Sequence, residues 1–436
     1  MTTPAAPTAP AALHRADLLA IVSIALAVAA WHTVQGGVLA GSVLLQSFNW
    51  VFDFDASRFV GAWCTVGADV AADMDMSFLA RHALSLPTRA LCLALTPWQA
   101  QPTAALMLLT ALLAGAVAAL AYLLAAAWCA SVVDRALLAL AYAVSVHPLL
   151  LALIPETYGW ALAGIGLHLV LLARADGRPL GGRWGAILSA LIDVGVTVTN
   201  AVLNLLSSAV LSWRRMTLRA WLLQELRVWG LALLLLLLIV GLSLAIFAPQ
   251  MPVQAGVAVK KVWWTININR GEPAALWEVI RTFFVYSFVA PAFTVVPLPP
   301  PDGHPMLDFR SFSYGLAGAA ALALWSGALA CSVMLAWASP RQRRLLVVAA
   351  LWMAMNVVLH WYWQYRGSIY LYGAHTSFVL FAVLAMGYGS ALQRWAGPLR
   401  WRVRAYAAAL VLLTAWNNLG LYREMIDFLL RQPSVA

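Results

Sequence analysis

Uninterrupted apolar runs of about twenty residues recur along this chain, for example at 106–127, 231–248 and 316–337. A helix of about twenty apolar residues crosses the hydrocarbon core of a bilayer. One such run would be an anchor. Repetition along the whole chain predicts an all-α fold, a polytopic transmembrane helix bundle with about ten membrane-crossing elements. Composition agrees: 63% of the 436 residues are hydrophobic and 10% are charged, where a soluble domain carries roughly 25% charged residues.

The net charge of +10 would suggest a nucleic-acid partner in a soluble protein. Here the arginines cluster in short loops between apolar segments, so membrane orientation explains them and no nucleic acid is expected. Cys64, Cys92, Cys129 and Cys331 show no metal-binding spacing, and three of them lie in apolar stretches as expected buried thiols. Residues 1–15, rich in Ala, Pro and Thr, read as a disordered cytoplasmic tail. The apolar segment after them lacks a small-residue cleavage site and reads as a retained helix.

The predicted transmembrane domain spans 16–420, with an outer tail at 421–436. Its first helix covers about 18–45. A polar, acidic outer loop follows at about 48–102, where 76–95 reads as one or two surface helices. Further helices are expected at 103–128, 136–153 and 158–172. The stretch 184–213 has arginines at both ends: Arg174, Arg178 and Arg183 before it, Arg214, Arg215 and Arg219 after. Two short helices broken near Thr197–Asn200 would keep both clusters in the cytoplasm, and Gly195 is a weak helix former at that place. A helix at 225–248 then leads to a second outer loop, about 249–312, with an amphipathic stretch at 274–289. Helices at 314–337, 345–361 and 369–388 and a last one ending near Leu419 complete the bundle. Every strongly basic short loop then falls on one side.

Four features map to the outer face. Phe-Asp-Phe-Asp-Ala-Ser-Arg at 52–58 puts Asp55 and Arg58 three residues apart, on one face of a helix, while Asp53 and Asp55 share a face only in an extended chain. A carboxylate there suits a general base; a solvated loop pair would look the same. Glu156, at the outer start of a helix, is a carboxylate in an apolar stretch. It is a functional candidate or an acid favoured by the positive helix end. Lys260, Lys261 and Arg270 lie beside Trp263 and Trp264. They suit a lipid phosphate or simple contact with anionic headgroups. Arg366 and His375 flank an outer turn and suit phosphate, with a packed interior histidine as the other reading of His375. No Walker loop, HExxH, GxSxG or Rossmann signature is present.

This layout resembles the GT-C type integral membrane glycosyltransferases, which use polyprenyl-phosphate-linked sugars and include protein O-mannosyltransferases and aminoarabinose transferases. Those enzymes carry an Asp motif just after helix one, matched here by Asp53, Asp55 and Arg58. Their first loop forms surface helices, often with a His-Pro-Leu element. Arg81–His82–Ala83–Leu84 matches it in part, with Ala83 in the proline position. An acidic residue opens a later outer helix, matched by Glu156. A hairpin tip often reading Leu-Thr-Arg/Lys-Pro is replaced by Val196–Asn200, without the basic residue or the proline. The resemblance spans roughly 16–390. It implies Asp55 as catalytic base, favoured over Asp53 by its spacing to Arg58. It implies Lys260, Lys261, Arg270, Arg366 and His375 at the donor phosphate, with Glu156, His82 and Asn200 also lining the substrate site. It implies an inverting transfer from a polyprenyl-phosphate sugar to a lipid, glycan or protein acceptor on the outer face of a membrane, expected to be the bacterial inner membrane. No motif demands a cofactor, and the resemblance leaves a divalent metal open. The rival expectation is a transporter or flippase of a lipid-linked or small solute. Against it stand the lack of an inverted repeat and the concentration of polar residues on one face. A membrane scaffold would explain the bulk composition but not the placement of the charged residues.

Overall fold

A computed structural model of the protein describes residues 14–46, 50–52, 54, 56–64, 83–99, 101–175, 180, 184–213, 215–247, 273–298, 304–362 and 369–432. The first half holds α1 (Arg15–Leu39), α2 (Ala56–Cys64), α3 (Ser85–Leu95), α4 (Pro102–Ala125), α5 (Val132–Ala143), α6 (Val146–Leu151), α7 (Tyr158–Arg174), α8 (Trp184–Val196) and α9 (Ala201–Ser212). Then come α10 (Leu218–Phe247), α11 (Pro273–Ile280), β1 (Thr294–Pro297), β2 (Pro305–Asp308), α12 (Leu316–Trp337), α13 (Pro340–Tyr362), α14 (Ile369–Tyr372), α15 (Ala374–Arg394) and α16 (Pro398–Arg431).

Local chemistry sets many helix starts. Pro102, Pro340 and Pro398 open α4, α13 and α16, where a missing N–H costs no helical hydrogen bond. At α1 the His14 N–H donates to Asp17 Oδ2 at 2.9 Å, one arm of a capping box. Among the described residues α1, α4, α10, α12, α13 and α15 are long and apolar enough to cross a bilayer. The chain is a multi-pass integral membrane protein. α15 is enclosed almost throughout and forms the centre of the bundle, whereas α10 is exposed along nearly its whole length and presents leucines outward, as a lipid-facing helix does. α12 and α15 touch at their backbones. A Cβ added to Gly387 would lie 2.2 Å from Ser332 Cα, so only glycine permits this approach.

Polar contacts fix the up-and-down order. At one end Asp17 of α1 pairs with Arg135 of α5 and accepts from Tyr122 of α4. Asp134 of α5 accepts from Tyr388 of α15 and from Arg404 of α16. Helix beginnings (α1, α5, α16) thus meet helix ends (α4, α15). At the other end Gly36, late in α1, lies against Met107, early in α4.

The expected break at 197–200 is present. α8 ends at Val196, a 3₁₀ turn covers Val198–Asn200, and α9 follows. The two helices run back on each other: Ser189 and Ser207 hydrogen-bond to opposite nitrogens of His168, at 3.0 and 2.8 Å. In one straight helix those serines would stand about 27 Å apart. A hairpin returns the chain to the side it came from. Cysteines introduced at Trp184 and Trp213, both exposed, should therefore react with an impermeant thiol reagent from the same side of sealed vesicles. Reaction from opposite sides would overturn the hairpin.

Several boundaries differ from expectation. The first helix runs over Arg15–Leu39, with a separate 3₁₀ turn at Val43–Leu45. The expected helix at 136–153 is two helices, α5 and α6, broken at Val144 and Ser145. The last helix does not end near Leu419 but continues to Arg431, because Tyr422, Met425, Ile426 and Leu429 keep one face buried. The second outer loop adds a small antiparallel hairpin to the all-helical expectation, with Thr294 opposite Asp308 and Pro297 opposite Pro305. The cysteine reading is corrected as well. Cys64 of α2 and Cys92 of α3 form a disulfide, while Cys129 is a buried thiol and Cys331 an exposed one.

Candidate site at one end of the bundle

Asp53 and Asp55 lie outside the described residues, but their flanks are well defined. Val51 bridges to Leu307 of β2: the Phe52 N–H donates to Leu307 O at 2.9 Å, and the Leu307 N–H donates to Trp50 O at 3.0 Å. Phe52 has φ of 55°, a left-handed conformation uncommon for a bulky residue. Such strain persists only where surroundings over-determine it, and it concentrates at functional sites. Here the surroundings are Phe309, Phe293 and Tyr370, with ring centroids 5.0, 6.0 and 4.4 Å away. Phe54 is buried, and Trp50 stacks on His304 at 4.0 Å. The described flank of the acidic segment, Trp50–Phe52, is therefore anchored on β2. Arg58 follows on α2 and is half-buried.

α2 is in turn fastened to α3. Besides the disulfide, Arg89 Nη1 donates to Ala62 O at 3.0 Å, and Trp63 Nε1 donates to Ser85 Oγ at 3.3 Å. Burial draws the Arg89 pKa below its ordinary value. Just before α3, the Leu84 N–H donates to Gly195 O at 3.3 Å. The first loop thus rests on the tip of the α8–α9 hairpin. His82, two residues before Leu84, lies outside the described residues. Asn200 closes that tip. It is fully buried, and neither Oδ1 nor Nδ2 has a hydrogen-bond partner. An amide left so is costly.

Glu156 is half-buried, one residue before the N-cap of α7, beside an apolar groove lined by Thr110, Val117, Pro148, Leu151 and Leu162. Two residues on, Tyr158 meets the ring of His375 at 6.1 Å and that of Tyr372 at 6.3 Å. His375 is buried, and its carbonyl accepts from Trp352 Nε1 at 2.7 Å. Next to it, Tyr370 stacks on His147 at 4.5 Å, and His360 stacks on Tyr372 at 4.4 Å. His147, His360 and His375 each bury an Nδ1 with no hydrogen-bond partner. The structure thus brings the flanks of Asp53 and Asp55, the neighbourhood of Glu156, and His375 to one end of the bundle, joined through Tyr370 and Tyr158. Lys260, Lys261, Arg270 and Arg366 lie outside the described residues.

The segment between α10 and α12 supplies two cations that sequence reasoning passed over. Arg281 opens a π-helical turn, Arg281–Val285, a rare element that recurs at functional sites. Its Nη2 donates to Arg310 O at 3.0 Å, its Nε is buried without a partner, and it lies 5.8 Å from the Tyr286 ring centre. Burial raises the Tyr286 pKa, so this phenol stays neutral at physiological pH. Arg310 is largely exposed and donates to Asp308 at 2.5 Å. A cation within an outer amphipathic stretch was the available signal for Arg281. His147 and His360 had none, because a lone histidine in an apolar run reads as core. No group of three or more His, Cys, Asp or Glu side chains among the described residues is placed to hold a metal ion.

No protein-family model, curated protein or solved structure matches this chain.

Proposed function

We propose that the chain is a membrane glycosyltransferase of the GT-C type. It moves a sugar from a polyprenyl-phosphate-linked donor to an envelope acceptor on the non-cytoplasmic face, in a bacterial inner membrane. The observation that carries this reading is the convergence at one end of the bundle. The flanks of the Asp53–Asp55 segment, the hairpin tip, the arginines of the second outer loop and the His–Tyr cluster beside Glu156 all meet there. The Cys64–Cys92 disulfide supports an outward orientation, because such bonds persist in oxidising compartments.

The chemistry is a displacement at the anomeric carbon. Asp55 takes the proton from an acceptor hydroxyl or amine as that atom bonds to the sugar. The bond from the sugar to the donor phosphate breaks, and polyprenyl phosphate leaves with its electron pair. Positive charge stabilises the phosphate as it departs. Lys260, Lys261 and Arg270 are assigned this role, with Arg281 and Arg310 near them in sequence on the same loop. A site at the membrane surface lets the polyprenyl tail stay in lipid while the sugar meets its acceptor.

One observation favours the transporter reading. Polar residues do not all gather at one face: Ser189, Asp193, Asn204, Ser207 and His168 form a buried polar chain inside the hairpin. Transporters build their sites from broken helices of this kind. Detergent-solubilised protein separates the two readings, because transport needs two compartments and sugar transfer does not. Purified protein, given a mixture of polyprenyl-phosphate sugars and envelope extract, should convert a donor to free polyprenyl phosphate, with a matching mass gain in an acceptor. No conversion in detergent, with movement of lipid-linked sugar in sealed vesicles, would overturn the transferase.

A further inference from the structure

The polar chain in the hairpin is not used by the proposed transfer reaction. Ser189 and Asp193 are four apart on α8, and Asn204 and Ser207 are three apart on α9, so each pair shares a helix face. His168 reaches them from α7. All five are buried. Asp193 packs so closely on α7 that a Cβ added to Gly164 would lie 2.7 Å from its Oδ1.

Counting protons along the chain shows what it holds. The Ser207 hydroxyl donates to Asn204 O at 2.9 Å, since a carbonyl oxygen can only accept. Its single proton is then spent, and the 2.8 Å contact with His168 Nε2 needs an N–H on that nitrogen. Asn204 Nδ2 donates to Asp193 Oδ2 at 2.6 Å. Ser189 Oγ, with one proton, faces His168 Nδ1 at 3.0 Å, Asn204 Oδ1 at 3.3 Å and Asp193 Oδ2 at 3.4 Å. A carboxylate beside a neutral imidazole leaves the 3.4 Å contact without a proton and a charge on Asp193, whose Oδ1 is buried with no hydrogen-bond partner. Two arrangements put a proton in both the His168–Ser189 and the Ser189–Asp193 contacts, each leaving Asn204 Oδ1 without the Ser189 proton. In one, His168 Nδ1–H donates to Ser189, which donates to Asp193: an imidazolium and a carboxylate. In the other, protonated Asp193 donates to Ser189, which donates to a neutral His168. The two interconvert when the Asp193 proton moves to Ser189 Oγ and the Ser189 proton moves to His168 Nδ1. Each holds one proton more than a carboxylate beside a neutral imidazole.

We propose that the hairpin is a proton-binding site, in which Asp193 and His168 share one exchangeable proton through Ser189. Loss of that proton leaves a buried carboxylate with no compensating charge among the described residues. No Lys or Arg among the described residues is paired with Asp193. None of the other ionisable groups described on neighbouring elements bonds to Asp193 or His168. On α10, Glu225 accepts from Ser208 and Trp229, and Arg219 and Arg227 are exposed. On α7, Arg174 is exposed. On α13, Arg341 donates to Ala173 O, Arg343 donates to Trp337 O, Arg344 near the helix start buries an Nη1 with no hydrogen-bond partner, and His360 stacks on Tyr372. On α3, Arg89 is bonded to Ala62 O. Near the site, the Thr197 N–H donates to Asp193 O at 3.1 Å and the Leu84 N–H donates to Gly195 O at 3.3 Å, so the site lies beneath the segment that enters α3.

The test is unfolding of the purified full chain in detergent as a function of pH. Above the ordinary histidine range the unfolded chain carries Asp193 ionised and His168 neutral, so the folded protein binds one proton more. Folding stability must then fall as pH rises, by up to a factor of ten in the equilibrium constant per pH unit for one linked proton, until the folded site itself gives up its proton and the slope vanishes. Asp193→Asn keeps the shape and carries no titrating proton, and its stability should decline less steeply by one proton. Equal slopes in wild type and Asp193→Asn would overturn the proposal. Where that variant fails to insert, the wild type is read directly by infrared spectroscopy and by NMR of nitrogen-labelled histidine at about pH 6, where an ordinary aspartate is ionised. It should show a protonated carboxyl at Asp193 or an imidazolium at His168, lost on alkalinisation. A protein showing neither would overturn the site. Neither readout depends on sugar transfer, so the transferase reading can fail while this one stands.

Discussion

Asp55→Asn is expected to insert and fold as the wild type does and to lose about 10²–10⁴-fold in the rate of sugar transfer, the usual cost of removing a general base. The substitution keeps the size of the side chain and its hydrogen bonding but removes the basic oxygen. In the proposed mechanism Asp55 acts as its ionised carboxylate, the form that accepts a proton, and a guanidinium three residues on in the sequence, at Arg58, would favour that form. The surroundings support normal folding of the variant. The segment is held by bonds from Trp50 and Phe52 to Leu307 and by the rings around Phe52, none of which involves an aspartate. Asp53→Asn should be milder. Full loss in Asp53→Asn with activity kept in Asp55→Asn would move the role by two residues. Activity kept in both would count against the transferase and raise the transporter. The measurement is turnover of a polyprenyl-phosphate sugar by purified variants.

Much of the bundle was legible because its signals are local. The break in the hairpin lay in Gly195, Thr197, Thr199 and Asn200, and in the arginines on either side. The break between α5 and α6 was not legible, since no glycine marks it and Pro148 follows it by three residues. It is made from a distance: the Val146 N–H donates to Phe288 O, and Asn418 Nδ2 donates to both Val144 O and Phe288 O at 2.8 Å. A partner 274 residues away leaves no trace in the local pattern. The same holds for the disulfide. Cys64 and Cys92 are 28 residues apart, and their pairing follows from the packing of α2 on α3. The end of α16 was misread for a different reason. Arg423, Glu424 and Asp427 interrupt the apolar run, while buried Tyr422, Met425, Ile426 and Leu429 continue one face of the helix at helical spacing.

The candidate site was legible as a set of segments rather than as a set of contacts. Sequence position put Glu156 and His375 on the outer side, and the fold brings Tyr158, two residues after Glu156, onto the His375 ring. The polar chain of the hairpin was in view at the spacing of four residues on α8 and three on α9, but serine and asparagine are mild enough to be absorbed into an apolar run. Only the return of the hairpin places Ser189 and Ser207 on either side of one histidine.

The opposite end of the bundle carries the second large expected effect, and there it falls on stability. Asp17 and Arg135 are both almost fully buried and form an ion pair between α1 and α5. Tyr122 of α4 donates to Asp17 at 2.7 Å, and Arg135 Nε donates to Cys129 O at 2.8 Å. Three helices are therefore joined through one carboxylate. Asp17→Ala should destabilise the fold by about 3–5 kcal/mol, since it leaves a guanidinium buried without its counter-charge and strips the Tyr122 hydroxyl of its acceptor. The cost belongs to the orphaned charge and not to the pair itself, which has to repay the desolvation of two ions. Replacing both partners by apolar groups of similar volume, Asp17→Leu with Arg135→Met, should therefore recover most of the loss. Unfolding of purified protein in mixed micelles measures both variants. A single variant as stable as wild type would show that Arg135 reaches water or another acceptor when Asp17 is gone. A double variant no better than the single one would show that the hydrogen bonds to Tyr122 and Cys129, and not the charge, hold the three helices together.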